Sequence, residues 1–123
     1  MVMENKNKGL SGENVVACYL EGLGFSIVIR NFRKIFGEVD IIAHKDSLLV
    51  FVEVKMRVSD SVDYGELIGY SKRKKIIATA HAFLMENQDL YDDCVCRFDV
   101  AFVTFIDANP RISYVKNAFF ENE

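Results

Sequence analysis

The ten residues from Leu48 to Arg57, LLVFVEVKMR, are dominated by Val, Leu and other large apolar side chains, yet Glu53 and Lys55 lie inside the run. A stretch of this composition predicts a β-strand, and successive side chains of a strand point to opposite faces of its sheet. A carboxylate and an ammonium therefore lie side by side on one face. That face carries Leu49, Phe51, Glu53, Lys55 and Arg57, whereas Val50, Val52, Val54 and Met56 share the other.

Two helices and four further strands are predicted around this run. Ser11 is placed to cap a helix over 11–23 that Gly24 ends, and residues 67–85 carry apolar side chains at three- and four-residue intervals. Strands are predicted at 25–32, 38–44, 95–106 and 112–118, with a turn at Asn109-Pro110. The order αβββαββ, with a long helix between two strands, predicts an α/β fold in which helices pack on a mixed central sheet of about five strands.

Composition places the chain among ordinary globular proteins. Its 123 residues are 50% hydrophobic and 27% charged, which excludes a disordered tail protein and predicts one domain over 1–123, with residues 1–8 flexible. No apolar run approaches the ~20 residues of a membrane span, and the polar N-terminus does not resemble a secretion signal. We therefore expect a cytoplasmic protein without a membrane partner. Its three cysteines have the spacing of neither a disulfide framework nor a zinc site.

The short connection His44–Ser47 predicts a hairpin between the second and third strands. The pairs expected from this loop are Ala43 with Leu48, Asp40 with Phe51, and Glu38 with Glu53. Asp40 and Glu53 would then lie diagonally on one face, with Glu38 and Lys55 beside them. The prediction depends on an even-numbered loop, because a slip of one residue would turn Asp40 to the opposite face.

Carboxylates that converge in this way repel one another unless a cation lies among them. Oxygen ligands without a nearby His or Cys suit Mg²⁺ or Mn²⁺, which binds a few carboxylates together with water and phosphate oxygens. We therefore predict a metal site of Asp40, Glu53 and Glu38 that hydrolyses a phosphodiester. Lys55 would orient the attacking water or stabilise the developing charge. The alternative is a solvated strand face, on which an E-x-K pattern is common.

Glu13 is a further candidate, in the first turn of the first helix. It shares the apolar stripe of Val16, Ala17 and Leu20, which would carry it inward. Two interpretations stay open. Glu13 either stabilises the positive end of the helix dipole, worth ~0.3–1 kcal/mol, or reaches the metal site as an extra ligand or base.

Basic residues are concentrated in the middle of the chain. Residues 30–81 contain ten Lys and Arg against seven Asp and Glu, although the whole chain has a formal charge of −3. Lys72 is in helical register with Ile76 and Ala80, so it is placed to lean over the sheet toward Lys55. Arg30, Arg33, Lys34 and Arg57 would contact nucleic-acid phosphates on the same surface, or else serve solubility alone.

Several of these motifs together resemble a known family. They are Ser11-Gly12-Glu13, Arg30-Asn31-Phe32-Arg33, Gly37-Glu38-Val39-Asp40, Phe51-Val52-Glu53-Val54-Lys55 with Arg57, Lys72, and Arg97-Phe98-Asp99. In them the chain resembles the small bacterial YraN family, which is similar to the restriction-endonuclease-like fold and the PD-(D/E)xK nuclease superfamily. The resemblance implies Asp40 as the motif aspartate, Glu53 and Lys55 as the E-x-K half, and Glu13 as the helix-borne acid. The superfamily's proline before the aspartate is Val39 here.

Three functions are therefore considered. The first is a nuclease dependent on Mg²⁺ or Mn²⁺ that acts on DNA, which we expect rather than RNA, or on structured nucleic acid. The second is a nucleic-acid-binding module of the same fold without turnover. The third is a structural or interaction protein in which the acids form salt bridges with Lys55 and Arg57.

Overall fold

The structure is a computed structural model, and it describes residues 11–58 and 68–121. The predicted flexible segment 1–8 lies outside these ranges. The elements are α1 (Gly12–Gly22), β1 (Ser26–Lys34), β2 (Gly37–Lys45), β3 (Leu48–Arg57), α2 (Tyr70–Glu86), the short α3 (Gln88–Tyr91), β4 (Val95–Ile106) and β5 (Asn109–Phe119). Within the described ranges, no helix combines the length and apolar composition that crossing a bilayer requires.

The five strands form one mixed sheet in the order β1-β2-β3-β4-β5. β3 and β4 pair in parallel from Leu48 with Val95 to Arg57 with Thr104, and the other neighbours are antiparallel. The chain between β3 and β4 contains α2, as a parallel connection requires. The predicted α/β class, the mixed five-stranded sheet and the order of its main elements are confirmed.

Apolar side chains cover both faces of the sheet. On one face α2 packs through Ile76, Ala80 and Phe83 onto Phe51 and its neighbours. On the other, α1 packs through Val16, Ala17 and Leu20. The Ser11 hydroxyl accepts a hydrogen bond from the Asn14 amide at 3.1 Å, so the predicted N-cap of α1 is confirmed. The sheet is therefore held between two helices, and the central strand β3 is buried on both faces.

The predicted register of the β2–β3 hairpin is wrong by two residues. Lys45 pairs with Leu48, and Ile42 lies opposite Phe51 where Asp40 was expected. The loop consists of Asp46 and Ser47 alone, because Asp46 adopts a left-handed φ of 54°, which a short polar side chain tolerates. Because the shift is even, Ile42 still shares a face with Phe51, as the predicted register requires.

Two other predicted boundaries are corrected. The turn before β5 is formed by Asp107 and Ala108, with φ values of 51° and 66°, so Asn109 and Pro110 already belong to the strand. Pro110 is tolerated there because β5 is an edge strand. The second helix begins at Tyr70 rather than at residue 67, since Gly69 takes the extended conformation of an N-cap. The polar loop after it contains α3.

Candidate active site

Strand alternation breaks at Asp40. Val39 and Ile42 both join the core under α2, whereas Ile41 between them joins the core under α1. On the neighbouring strand Asn31, which lies opposite Asp40 between the pairs Arg30–Ile41 and Phe32–Val39, has a left-handed φ of 55°. Both strands are therefore distorted at the same level of the sheet.

This distortion places the Asp40 carboxylate beside β3. Pairing of β2 with β3 ends at Ile41 and Val52, and Oδ2 of Asp40 accepts a hydrogen bond from the Val54 amide at 2.8 Å. The Asp40 side chain thus accepts the hydrogen bond that the Val54 amide would otherwise make to the backbone of β2. Asp40 and Glu53 line the same cleft, and Glu53 is among the groups that raise the pKa of Asp40. The two acids predicted from GEVD and E-x-K therefore lie together.

Burial and the second acid change the titration of Asp40. Burial raises the pKa of this carboxyl from 3.8 to about 7, the hydrogen bond from Val54 opposes the shift, and the negative charge of Glu53 adds to it. The Asp40 carboxyl therefore holds a proton for part of the time at neutral pH. A pair of this kind attracts a cation.

Lys72 on α2 supplies a cation to this pair. Its Nζ lies 2.5 Å from Oε2 of Glu53, a residue that is only 6% exposed. The hydrogen bond to Glu53 is the main cause that raises the pKa of Lys72 above its usual 10.5. Sequence spacing placed Lys72 over the sheet near Lys55, and the structure shows that it contacts Glu53.

An open cleft of about 810 Å³ surrounds these three side chains. Its floor is the sheet at β2 and β3, and its wall is the first two turns of α2. The cleft is lined by Gly37, Glu38, Asp40, Glu53, Val54, Gly69, Tyr70, Ser71, Lys72, Lys75 and Ile76. Tyr70 is 58% exposed at the rim, where a base could stack on it. Of the two tyrosines that the sequence offers for base stacking, Tyr64 and Tyr70, the first lies outside the described residues.

The remaining predicted acids have basic partners. Glu38 lines the cleft and forms an ion pair with Arg33 at 2.9 Å. Glu13 accepts hydrogen bonds from Nε of Arg30 and from Nδ2 of Asn31, both at 2.9 Å. The structure therefore holds Glu13 against β1. Among the described residues, no group of three or more His, Cys, Asp or Glu side chains is arranged to hold a metal ion.

The two basic residues that follow Glu53 differ in their surroundings. Lys55 is half-buried and is not among the described residues that line the cleft. The Arg57 guanidinium stacks on Phe102, with 4.7 Å from Cζ to the ring centroid. Of the buried side-chain nitrogens and oxygens in the described ranges, Nη2 of Arg57 is without a hydrogen-bond partner. The stacking on Phe102 holds the Arg57 guanidinium beside the core.

Sequence reasoning did not assign a role to Asn31. Its left-handed backbone breaks the alternation of β1, and its amide holds Glu13 one strand away from Asp40. The available signal was its residue type, because Asn is enriched at positive φ. Arg97 and Asp99, which the motifs above also include, form an ion pair at 2.9 Å on the α1 side of the sheet.

Comparison with known proteins identifies the family. Residues 12–103 match the profile described as "Uncharacterised protein family UPF0102". The chain belongs to the UPF0102 family. This confirms the YraN assignment made from the motifs. The UPF0102 match spans the whole cleft, from Gly37 to Ile76.

Similar UPF0102 proteins come from several bacteria. A UPF0102 protein of Clostridioides difficile is 39% identical over 118 residues, which cover 95% of this chain and 100% of that protein. One from Geobacter metallireducens is 38% identical over 119 residues, covering 97% of both chains. One from Geobacter sulfurreducens is 41% identical over 117 residues, covering 94% of this chain and 90% of the relative.

Proposed function

We propose that this UPF0102 protein is a nuclease that depends on Mg²⁺ or Mn²⁺ and hydrolyses phosphodiester bonds of DNA or structured nucleic acid. The observation that carries the proposal is the pair of Asp40 and Glu53 carboxylates in the floor of an open cleft with Lys72 beside them. Acids placed together repel each other unless a proton or a cation neutralises them, and a buried acid with a strongly shifted pKa is a candidate for a functional site.

The donor set fits a hard divalent cation. Asp40 and Glu53 offer carboxylate oxygens, and Mg²⁺ commonly takes one or two protein carboxylates and completes its shell with water and phosphate oxygens. The raised pKa of Asp40 is a second sign of fit, because a bound cation would offset the repulsion from Glu53 that contributes to it. When bound, the metal would acidify a water molecule and neutralise charge on the phosphate.

The chain's own residues divide the remaining work. Asp40 and Glu53 would hold the metal, and Lys72, once released from Glu53, would hold a phosphate oxygen. Lys55 is proposed to orient the attacking water or stabilise developing charge from β3, and Glu13 to act from α1 as an additional acid. Hydrolysis adds the water's hydroxyl to phosphorus and breaks one P–O ester bond, and the departing oxygen takes up the proton.

Positively charged side chains near the cleft would position the substrate. Arg30 and Arg33 lie on β1, and the Arg33 side chain is 70% exposed even with its Glu38 partner. Lys72 projects from α2, and Arg57 stacks on Phe102 of the core under α2. Such contacts to phosphates orient a strand without reading its sequence. We therefore expect the protein to recognise its substrate by the shape of the nucleic acid and not by its base sequence.

Hydrolysis assays test the proposal. Plasmid, single strands, flaps and four-way junctions are incubated with the protein and Mg²⁺ or Mn²⁺, and then with EDTA. We expect cleavage that requires metal and is lost in Asp40→Asn, Glu53→Gln and Lys55→Ala. Asp89→Asn on the exposed α3 is the matched control and should cleave like the wild type. Cleavage that persists in Asp40→Asn would come from a contaminant and would overturn the assignment.

A binding module without turnover is the second candidate. It is favoured by the Lys72 and Glu53 ion pair, which neutralises one acid without any metal. Such a module would bind nucleic acid equally with and without EDTA, and its affinity would fall steeply with salt because phosphate contacts release counterions. Binding that disappears in EDTA would exclude it.

A further inference from the structure

The turn between β1 and β2 presents two apolar side chains to solvent. Lys34 pairs with Gly37, so the turn consists of Ile35 and Phe36, which are 102% and 44% exposed. Two-residue hairpin loops favour Asn, Asp and Gly. Neither side chain belongs to the two core clusters of the described residues. The folded chain thus gives no reason for an apolar tip here.

The tip adjoins the candidate active site. A surface depression of about 350 Å³ is lined by Ile35 and Phe36 and shares Gly37, Glu38 and Lys75 with the cleft. Phe36 precedes Asp40 by four residues, which is about 13 Å along a strand at ~3.3 Å per residue. Stacked bases are spaced by ~3.4 Å, so the tip lies about four bases from the acids.

Cations flank the tip. Arg33 and Lys34 precede it, and Lys75 faces it from α2. The acid partners of the first two, Glu38 and Glu86, are themselves about half exposed, so water already screens these pairs. The apolar tip can contact the flat faces of nucleic-acid bases, and the cations around it can contact the phosphates between those bases.

We propose that Ile35 and Phe36 form a base-contacting wedge, which binds the faces of unpaired bases while the phosphate backbone continues into the Asp40 and Glu53 cleft. The inference rests on the proposed function and narrows its substrate to nucleic acid with unpaired bases: a single strand, a flap or a branch point. Intact duplex hides base faces in its stack, whereas unpaired bases stack readily on aromatic side chains, and apolar side chains insert between base steps.

A second copy of the chain fits this tip less well. A stable protein interface buries ~800 Å² on each partner, far more than two side chains on a hairpin turn supply. The flanking positive charges would also meet their own like charges across a two-fold axis. Nucleic acid is therefore the occupant that the charge pattern favours.

Binding measurements in EDTA test the wedge without hydrolysis. The full chain is titrated against a labelled single strand, a flap and a blunt duplex of the same sequence. The variant carries Ile35→Ser and Phe36→Ser together. The matched control carries Met85→Ser and Leu90→Ser, two apolar residues 71% and 70% exposed on α2 and α3. Thermal melting should show that both variants fold like the wild type, since neither changes a core cluster.

We expect the wedge variant to bind the single strand and flap at least about tenfold more weakly, with duplex binding and the control unchanged. A 2-aminopurine base is placed in the single strand about four bases from the phosphate that lies in the cleft. Its fluorescence should change when the wild type binds and not when the wedge variant binds. Equal loss on all three substrates, or no loss, would overturn the wedge. So would a wild-type dimer that becomes monomeric in the variant.

These outcomes are separable from the fate of the proposed function. Metal-dependent cleavage lost in Asp40→Asn would support the nuclease even if the wedge variant bound normally. Conversely, selective loss of unpaired-base binding would support the wedge even if no cleavage occurred. If the wild type bound none of the three substrates in EDTA, the wedge would be overturned, but the proposed metal-dependent function would not.

Discussion

The ammonium of Lys72 lies 2.5 Å from Oε2 of Glu53, so one proposed metal ligand already has a cation bound to it. The Lys72 side chain is 55% exposed and that of Glu53 is 7% exposed. Lys72 can therefore move into solvent when another cation takes its place, whereas Glu53 stays in the floor of the cleft. A divalent ion and Lys72 compete for the same carboxylate.

Replacing Lys72 should tighten metal binding. Lys72→Met removes the competing charge, and we expect the Mn²⁺ dissociation constant to fall by about three- to tenfold, the range for a charged contact weakened by solvent screening. Nucleic-acid binding should weaken in the same variant. Calorimetric titration with Mn²⁺ gives the first value, with Lys74→Met on the same helix as control. A weaker Mn²⁺ affinity in Lys72→Met would make Lys72 a supporting residue of the site.

Asp40 should make stability fall as pH rises. Its pKa is raised from 3.8 to about 7, so the folded state holds a proton that the unfolded state has already released. The stabilising effect of that proton is complete below pH ~4 and is lost as pH rises through about 7. Denaturant unfolding across this range should therefore show a decline that is smaller in Asp40→Asn. An identical pH slope in both proteins would contradict the raised pKa.

The same proton should oppose metal binding. Below pH 7 a cation must displace it, so Mn²⁺ affinity should rise with pH by up to tenfold per unit until about pH 7 and then level off. Titration calorimetry at several pH values measures this. An affinity independent of pH would place the metal away from Asp40.

The sequence predicted this pair of acids because the side-chain period of a strand is two. The β2–β3 register was wrong by two residues, since the loop length depends on the left-handed backbone of Asp46. Asp40 and Glu53 nevertheless lie on the same face, because an error of two residues does not exchange the two faces of a strand. The break in alternation at Asn31 and Asp40 depends on backbone angles that no local pattern specifies. The contact of Lys72 with Glu53 depends on how α2 docks, which is a tertiary property.

Gly37 should be intolerant of a side chain. A Cβ there would lie 2.7 Å from Oγ1 of the buried Thr79 and 3.0 Å from the Lys75 carbonyl oxygen, so α2 would have to move. We expect Gly37→Ala to lower the free energy of unfolding by about 1–3 kcal/mol. It should also weaken Mn²⁺ binding, since α2 forms the wall of the cleft.

Gly12→Ala is the matched control for this experiment. Its Cβ would collide with Sδ of Met56, but the Met56 side chain is flexible and 53% exposed and can turn away. Chemical denaturation should therefore show a clearly smaller loss for Gly12→Ala. Equal losses in the two variants would mean that α2 does not pack closely against Gly37.

Asp99 should be the strongest determinant of stability among the acids. It is fully buried and accepts hydrogen bonds from Arg97, from the Tyr114 hydroxyl at 2.6 Å and from the Asn117 amide at 3.0 Å. Asp99→Ala leaves a guanidinium without its partner, and we expect a loss of about 3–5 kcal/mol in denaturant unfolding. Asp89→Ala on α3 should cost little. Near-equal losses would contradict a structural role.

Crystals soaked in Mn²⁺ test most directly whether Asp40 and Glu53 share a hard cation. The account predicts an anomalous difference peak coordinated by carboxylate oxygens of both residues, with the Lys72 ammonium moved off Glu53, and no such peak in Glu53→Gln. A soaked crystal in which Lys72 still contacts Glu53, and manganese binds elsewhere or nowhere, would contradict the account.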